Sequence, residues 1–295
     1  MKIGVIYPQI ELKGDPEAVH RIGLATESLG YDHLLVYDHV LGAAHDREPK
    51  LIGPYTERDP FHDPFVMLSY LAGITKRIEL TTGVIILPQR QTILLARQCA
   101  DLDLLSHERL RLGVGTGWNY VEYHALGQDF HTRGKRADEQ IGLLRRLWTE
   151  PLVKFDGRFD HVDRAALNPR PKRLIPIWIG GFTELAFERG GRLGDGYIFM
   201  GGPENAAPSW QRVSHHLAEA GRSPANFGRD IILQSPKTPA EMVSYIERWR
   251  DLGGTHASVS TMGKGLTTID AHIDFIGEMR SRLDQDHFRS NRPEM

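Results

Sequence analysis

The stretch RIELTTGVIILPQRQTILLARQCADLDLLSHERLRLGVGTGWN, residues 77–119, decides the fold. It begins with a β-branched, apolar run over 78–87 that a proline ends, which is typical of a strand buried on both faces. A helical pattern follows, with Thr92 as its candidate N-cap. A second short strand, 110–114, then ends in the glycine-rich sequence 115–117. This order predicts a βαβ unit of a parallel sheet, which binds ligands at the carboxyl ends of its strands.

The same alternation runs through the whole chain. Strand patterns occur at 3–7, 33–37, 78–87, 110–114, 176–179, 196–200, 230–234 and 257–261. Helical patterns occur at 16–29, 64–75, 93–105, 133–148, 183–193, 209–220, 239–252 and 269–283. Eight alternations in 295 residues predict one (β/α)₈ TIM barrel domain over 1–295, with a doubly wound open sheet as the alternative.

Three segments depart from the alternation. Residues 41–63, after the second strand, are polar and contain prolines, and we interpret them as a mobile lid or a poorly ordered loop. Residues 149–174, before the fifth strand, predict an irregular insertion. The mixed-charge sequence after Arg280 predicts a frayed end.

Composition excludes several classes of function. A net charge of −2 gives no electrostatic reason to expect binding to nucleic acid or to an anionic membrane. The single cysteine, Cys99, excludes an internal disulfide and a cysteine-based zinc site, and the histidines lack ligand-like spacing, so we expect no metal. No apolar run approaches the ~18 residues of a membrane span. We therefore expect a cytoplasmic protein that acts on a small molecule.

Polar residues and glycines follow several predicted strands. Asp38 and His39 end the second strand, and an imidazole titrates near neutral pH, so His39 is a candidate for proton transfer. The alternative is that Asp38 caps a turn and His39 packs. Arg90, just past the third strand, could reach a phosphate, a ring carbonyl or a substrate anion.

Two glycine-containing turns are candidates for cofactor binding. Gly180, Gly181, Phe182 and Thr183 begin a helix whose free amides favour a phosphate, although a helix cap by Thr183 explains the pattern equally. Gly115, Thr116 and Gly117 allow close approach of a cofactor to the backbone. Their spacing is not that of the dinucleotide fingerprint, and a tight turn is the simpler explanation.

From Met1 to about Leu283, the chain resembles the luciferase-like monooxygenase family, and within it the coenzyme F420-dependent oxidoreductases. The motifs that carry the resemblance are DHLLVYDHV (32–40), TTGVIILPQR (81–90), LDLLSHERLRLGVGTGWNYVEY (102–123), EQIGLLRRLWTEP (139–151), PIWIGG (176–181), RLGDGYIFM (192–200) and VSTMGKG (259–265). The resemblance implies a TIM barrel, usually a homodimer, that holds a flavin or deazaflavin across the carboxyl ends of the strands.

The resemblance also implies roles for individual residues. Asp38 and His39 would approach the cofactor ring, with His39 assisting proton movement. A cis peptide bond at Gly83-Val84 would support the ring, where an ordinary strand bulge is the alternative. The turns at 115–117 and 180–183 would bind the cofactor, the second its phosphate.

One position departs from the pattern of the sugar-phosphate dehydrogenases in this family. They carry a glutamate directly after the GTG, where this chain has Trp118 in its substrate pocket. Tryptophan is no useful proton donor and favours an apolar or planar substrate, so we do not expect glucose 6-phosphate oxidation. Glu122 is either a substitute carboxylate or a solvated one.

Three functions remain open on this basis. The first is an F420-dependent oxidoreductase that transfers hydride between the deazaflavin and a small organic substrate. The second is an FMN-dependent two-component monooxygenase that uses O₂ and reduced flavin from a reductase partner. The third is a non-catalytic flavin-binding barrel. The segments 41–63 and 149–174 would set the substrate.

Overall fold

The computed structural model describes residues 1–290. Its strands are Lys2–Ile6 (β1), His33–Val36 (β2), Glu79–Thr82 (β3), Ile85–Ile86 (β4), Leu110–Gly115 (β5), Val153–Asp156 (β6), His161–Ala165 (β7), Ile177–Gly180 (β8), Gly196–Met200 (β9), Gly228–Leu233 (β10) and His256–Ser260 (β11). Its α-helices are Pro16–Ser28 (α1), Pro64–Ile74 (α2), Thr92–Leu105 (α3), Tyr120–Ala125 (α4), Arg133–Thr149 (α5), Glu184–Leu193 (α6), Pro203–Glu219 (α7), Pro239–Asp251 (α8) and Ile269–Ser290 (α9). Short 3₁₀ helices lie at Leu87–Gln89 and Phe130–Thr132.

The parallel strands close into a barrel. Their order is β3-β2-β1-β11-β10-β9-β8-β5-β4, and β3 also pairs with β5, which joins the two edges. Since β3 and β4 are two pieces of one barrel strand, the barrel has eight strands. The predicted (β/α)₈ barrel is therefore confirmed, and the open sheet is excluded.

The barrel interior contains an apolar layer and an ionic layer. The apolar layer consists of Ile6, Leu35, Tyr37, Trp178, Ile198, Ile232 and Met262. Towards the amino ends of the strands, the buried Arg111 lies 3.0 Å from Asp230 and 2.9 Å from Glu79. Its guanidinium also lies 4.3 Å from the centre of the Trp178 ring. These layers fill that end of the barrel, so a ligand can enter only at the carboxyl ends.

One buried histidine, His33, and one half-buried histidine, His256, adjoin the ionic layer. Burial, reinforced by the charge of Arg111, lowers the pKa of His33 well below its usual value and that of His256 to about 2. Both rings are therefore neutral at physiological pH. His33 Nε2 lies 2.7 Å from Ser258 Oγ, which also donates to Asp230.

The structure corrects two details of the stretch at 77–119. The predicted continuous strand over 78–87 is interrupted at Gly83-Val84, where the peptide bond is cis, as the resemblance implied. Thr92 is the first residue of α3 and not its N-cap, which is Gln91. Its hydroxyl instead donates to Asp160 Oδ2 at 2.6 Å, in the insertion before β8.

The insertion at 149–174 is less irregular than its sequence indicates. It contains an antiparallel hairpin, β6–β7, attached to α5 because Glu139 accepts backbone hydrogen bonds from Phe159 at 2.8 Å and Asp160 at 2.9 Å. Polar, exposed residues dominate these strands and hide their period.

Helix boundaries also differ from the predicted ones. Helix α7 begins at Pro203 rather than at Ser209, since a proline fits the first helical turn, and it also contains Pro208. Helix α9 continues to Ser290, so the frayed end predicted after Arg280 is wrong over that range. The remainder of that prediction, 291–295, lies outside the described residues.

Candidate functional site

The carboxyl ends of β2, β4, β5 and β8 bring the candidate site residues together. His39 follows β2, and Trp118 follows β5. Their ring centres are 5.7 Å apart. Segment 41–63 contains no helix or strand and covers both residues.

Aromatic rings enclose His39 on three sides. The ring centres of Phe61 and Tyr55 lie 4.8 Å and 5.3 Å from that of His39, and both rings, like Trp118, meet it edge to face. Only 9% of the His39 side chain is exposed. An imidazole in this position is shielded from bulk water and can face a ligand in the mouth of the barrel.

The covering segment is attached at its base and along its length. Asn119 Nδ2 donates to the carbonyl of Leu41 at 3.3 Å, and Tyr120 Oη donates to that of Pro49 at 2.6 Å. A Cβ at Gly53 would lie 2.2 Å from the Trp118 ring, so the segment approaches this ring as closely as only glycine permits. Segment 41–63 therefore lies over the mouth, and its mobility stays a prediction.

Glu122 is buried and not solvated, which corrects one of its two interpretations. Its side chain is 0% exposed. Oε1 accepts hydrogen bonds from the amides of Val40 and, at 3.0 Å, Leu41. Oε2 accepts from Gln89 Nε2 at 3.1 Å and lies 3.5 Å from His39 Nδ1.

The environment of Glu122 keeps it ionised. Burial acts to raise its pKa, but the contacts with His39, Leu41 and Gln89 outweigh burial and lower the pKa below its usual value. A buried anion therefore lies directly beside the histidine of the site. The sequence contained no signal for this arrangement. Asn119 caps α4 by accepting from the amides of Val121 and Glu122, but the amides that the Glu122 carboxylate accepts belong to a segment distant along the chain.

Asp38 and Arg90 form an internal pair. Asp38 accepts from the amide of Ile86 at 2.9 Å and from Arg90 Nη2 at 2.7 Å, and the same nitrogen lies 3.0 Å from Asp63 Oδ2. Burial acts to lower the pKa of Arg90, but the two carboxylates raise it, so the guanidinium stays charged. The catalytic role of Asp38 and the substrate-binding role of Arg90 stay predictions, and the geometry shows both groups occupied with each other.

Glycines form a cradle around Val84 at the mouth. A Cβ at Gly115 would lie 2.6 Å from Val84 Cγ2, and one at Gly180 would lie 2.8 Å from Val84 Cγ1. The valine side chain thus fits between β5 and β8 only because both strands end in glycine. At Gly117, where φ is +62°, a Cβ would lie 2.8 Å from Ile86 Cγ2. These contacts produce a small apolar platform on which a flat ring could rest.

The turn after β8 adjoins this platform through Gly180. Thr183 is the N-cap of α6, and its hydroxyl accepts from the amide of Ala186 at 3.3 Å. Tyr197 Oη donates to the carbonyl of Gly181 at 3.0 Å, and Phe182 is 71% exposed. The cap predicted as the alternative is therefore present, and phosphate binding at this turn stays a prediction.

Buried polar atoms near the mouth indicate what a ligand would contact. Within residues 1–290, Gln9 Nε2, Tyr37 Oη and Gln89 Oε1 have no hydrogen-bond partner. Unpaired buried donors and acceptors are rare in native proteins, and a ligand that carries complementary groups would satisfy them. The platform and these atoms fit a planar heterocycle with carbonyl and amide groups, such as the ring of a flavin or deazaflavin.

The remainder of the described chain contains neither a metal-binding group nor a membrane-spanning helix, and it contains a cavity away from the mouth. No group of three His, Cys, Asp or Glu side chains in residues 1–290 could hold a metal ion. Over the same residues, no helix combines the length and apolar character that crossing a membrane requires. A cavity of about 490 Å³ lies between Trp148 and Arg173, at the amino ends of the strands and away from the mouth.

Comparison with known proteins agrees with this architecture. Residues 3–282 match the luciferase-like monooxygenase family, and the chain belongs to that family. An uncharacterized protein of Mycobacterium tuberculosis is 33% identical over 208 residues, which are 68% of this chain and 71% of the relative. An F420-dependent glucose-6-phosphate dehydrogenase of Intrasporangium calvum is 30% identical over 243 residues, 78% of this chain and 69% of the relative.

A solved structure shows the same fold at lower identity. An F420-dependent secondary alcohol dehydrogenase in complex with an F420-acetone adduct superposes with a TM-score of 0.77 at 18% identity. The superposition covers 96% of this chain and 99% of that chain.

Proposed function

We propose that this protein is an F420-dependent oxidoreductase that exchanges a hydride between the deazaflavin and a small, uncharged organic substrate. The observation that carries the proposal is the enclosed imidazole of His39, at the barrel mouth beside the lid. The names of the Intrasporangium relative and of the structurally similar alcohol dehydrogenase support the choice of cofactor.

The residues of the cradle would hold the coenzyme. Val84, seated between Gly115 and Gly180, would support one face of the ring. The turns at 115–117 and 181–183 would bind the remainder, the second its phosphate. Bound deazaflavin supplies a carbon that accepts or returns a hydride.

His39 would accept and return the proton of the substrate hydroxyl. In the oxidation of an alcohol, the imidazole would accept the proton that the substrate hydroxyl loses. The reverse reaction returns that proton to the carbonyl oxygen. An imidazole can do both near neutral pH.

The substrate pocket favours an uncharged molecule. Tyr55, Phe61 and Trp118 line the space around His39. The cation of Arg90 is already paired with Asp38 and so is not available to a phosphate group. We therefore propose ketones and secondary alcohols ahead of sugar phosphates.

A binding and turnover experiment tests this function. Fluorescence titration should show F420 binding in the micromolar range and weaker FMN binding. His39→Ala should leave F420 affinity within about twofold but lower turnover with acetone and reduced F420 about 100-fold, since general acid–base catalysis contributes that much. The exposed His124 of α4 offers a matched control, and His124→Ala should leave both quantities unchanged. Equal loss of binding and turnover in His39→Ala would contradict a proton-transfer role.

The FMN-dependent monooxygenase is the second candidate. The aromatic enclosure of His39 favours it too, because reduced flavin chemistry with O₂ requires exclusion of water. Tight FMN binding without an F420 response, followed by oxygen uptake with a flavin reductase, would establish it. Binding of either cofactor without any turnover would favour a non-catalytic barrel.

We also propose that the protein forms a homodimer through α2 and α3. Helix α2 (PFVMLSYLAGI) is apolar on nearly all sides, yet Val66 is 72% and Tyr70 47% exposed. Leu94 at the start of α3 is 54% exposed. A helix that is apolar all round is normally buried, and a second copy of the chain would cover this face.

A further inference from the structure

Glu122 and His39 form a contact that the sequence did not predict. His39 Nδ1 lies 3.5 Å from Glu122 Oε2, and the two side chains are 9% and 0% exposed. Within the described residues, this is the only ion pair of His39. The imidazole therefore has one nitrogen towards a buried carboxylate, while Nε2 is the nitrogen left to meet a ligand.

The groups around Glu122 determine which ring nitrogen of His39 carries the hydrogen. An ionised carboxylate can only accept hydrogen bonds, and Glu122 already accepts from Val40, Leu41 and Gln89. The contact with His39 is attractive only if Nδ1 carries a hydrogen. Neutral imidazole has one N–H, so Nε2 then holds the lone pair.

We propose that Glu122 is a positioning residue that keeps His39 in the Nδ1–H tautomer. Nε2 is then the atom that takes the proton of the substrate hydroxyl and returns it. This inference rests on the proposed function, because it assigns the proton acceptor within that site. The 3.5 Å separation exceeds a normal hydrogen bond, so the carboxylate acts on the Nδ1–H group chiefly through its charge.

The two oxygens of Glu122 have different partners. A purely structural role can therefore be distinguished from a role in orienting His39. Oε1 holds the amides of Val40 and Leu41 at the base of the lid, whereas Oε2 faces His39 and Gln89. In Glu122→Gln, the side-chain oxygen can keep the two amides. Its NH₂ group then replaces Oε2 and presents a donor to His39 Nδ1, and the hydrogen bond that Oε2 accepts from Gln89 Nε2 is lost. The variant keeps the attachment of the lid but reverses the hydrogen-bond polarity towards the imidazole.

Glu139 provides a matched control. Its carboxylate likewise accepts several backbone amides, those of Arg158, Phe159 and Asp160, but at the β6–β7 hairpin. Glu139→Gln therefore measures what the loss of a charged, amide-binding carboxylate does to the fold alone.

The first measurement is ¹⁵N NMR of the imidazole nitrogens in the cofactor-free protein, with the His39 signals identified by their absence in His39→Gln. We expect a protonated Nδ1 and an unprotonated Nε2 in the wild type and in Glu139→Gln, and the reverse in Glu122→Gln. An unchanged tautomer in Glu122→Gln overturns the proposal.

The second measurement is turnover of acetone with reduced F420. Glu122→Gln should lower kcat about 100-fold while KM and F420 affinity stay within about threefold. A loss no larger than that in Glu139→Gln overturns the proposal and leaves Glu122 a structural residue. If the wild type fails to bind F420, the proposed function falls, and the tautomer comparison still decides whether Glu122 orients His39.

Discussion

Replacement of Arg90 by methionine tests whether this residue is a structural tie or a binding group. Methionine has a similar length and keeps contact with Phe65, over which the guanidinium lies at 5.7 Å. The change leaves the buried carboxylate of Asp38 with the amide of Ile86 as its one remaining hydrogen bond.

The expected cost follows from the burial of the two acidic partners. Asp38 is 0% exposed, and removal of one partner of a buried ion pair costs about 3–5 kcal/mol. Asp63 is 36% exposed, and solvent screening reduces its contribution to below about 1 kcal/mol. We therefore expect a loss of about 4 kcal/mol in the free energy of unfolding, nearly all of it from Asp38.

Urea denaturation followed by tryptophan fluorescence measures this loss. Arg192→Met is the matched control, because Arg192 on α6 pairs only with the partly exposed Glu188 among the described residues, and its loss should cost less than about 1 kcal/mol. The double variant Asp38→Asn/Arg90→Met removes both charges and should recover part of the stability. Unchanged stability in Arg90→Met, combined with weaker binding of an anionic substrate, would refute the reasoning and restore Arg90 to the substrate pocket.

Three further predictions address other regions. Arg111→Met should lower the free energy of unfolding by about 3–5 kcal/mol, because Asp230 is then buried without its partner. The affinity for F420, which binds at the opposite end of the barrel, should not change in a titration. Weaker F420 binding at equal stability would contradict this prediction. Because the pKa of Glu122 is lowered in the folded state, its stabilisation is present above its ordinary value of 4.5 and is lost as pH falls through the folded pKa. Between roughly pH 7 and pH 3, the free energy of unfolding measured with urea should therefore fall more steeply in the wild type than in Glu122→Gln. Parallel curves for the two proteins would contradict this prediction. Val66→Glu should convert the dimer to a monomer, as measured by light scattering. The control Leu24→Glu, at an exposed position of α1, should leave the dimer intact. A dimer that persists in Val66→Glu would place the interface elsewhere.

The sequence predicts the barrel well because its strands are buried on both faces. Runs such as 34–37 and 196–200 are continuously apolar for that reason, and a helix is the next regular element after each. The hairpin β6–β7 lies on the surface, where no buried face imposes a period on its residues.

The candidate site could be predicted only in part. His39 and the glycines follow their strands directly, so their position at the mouth follows from local order. The environment of Glu122 depends on Val40 and Leu41, which are about 80 residues away along the chain, and on the lid that encloses them. The pairing of Arg90 with Asp38 likewise arises only when neighbouring strands meet.

Most residues of the site belong to the first half of the barrel, and this matters for engineering the protein. The segment 33–126 contains His39, Glu122 and the lid, whereas the segment 177–290 contributes chiefly the turn after β8. A chimera that joins the first half to the second half of another family member would keep the proton-handling residues together. Such a chimera must supply an acid at position 230, because Asp230 is the buried partner of Arg111 across the two segments.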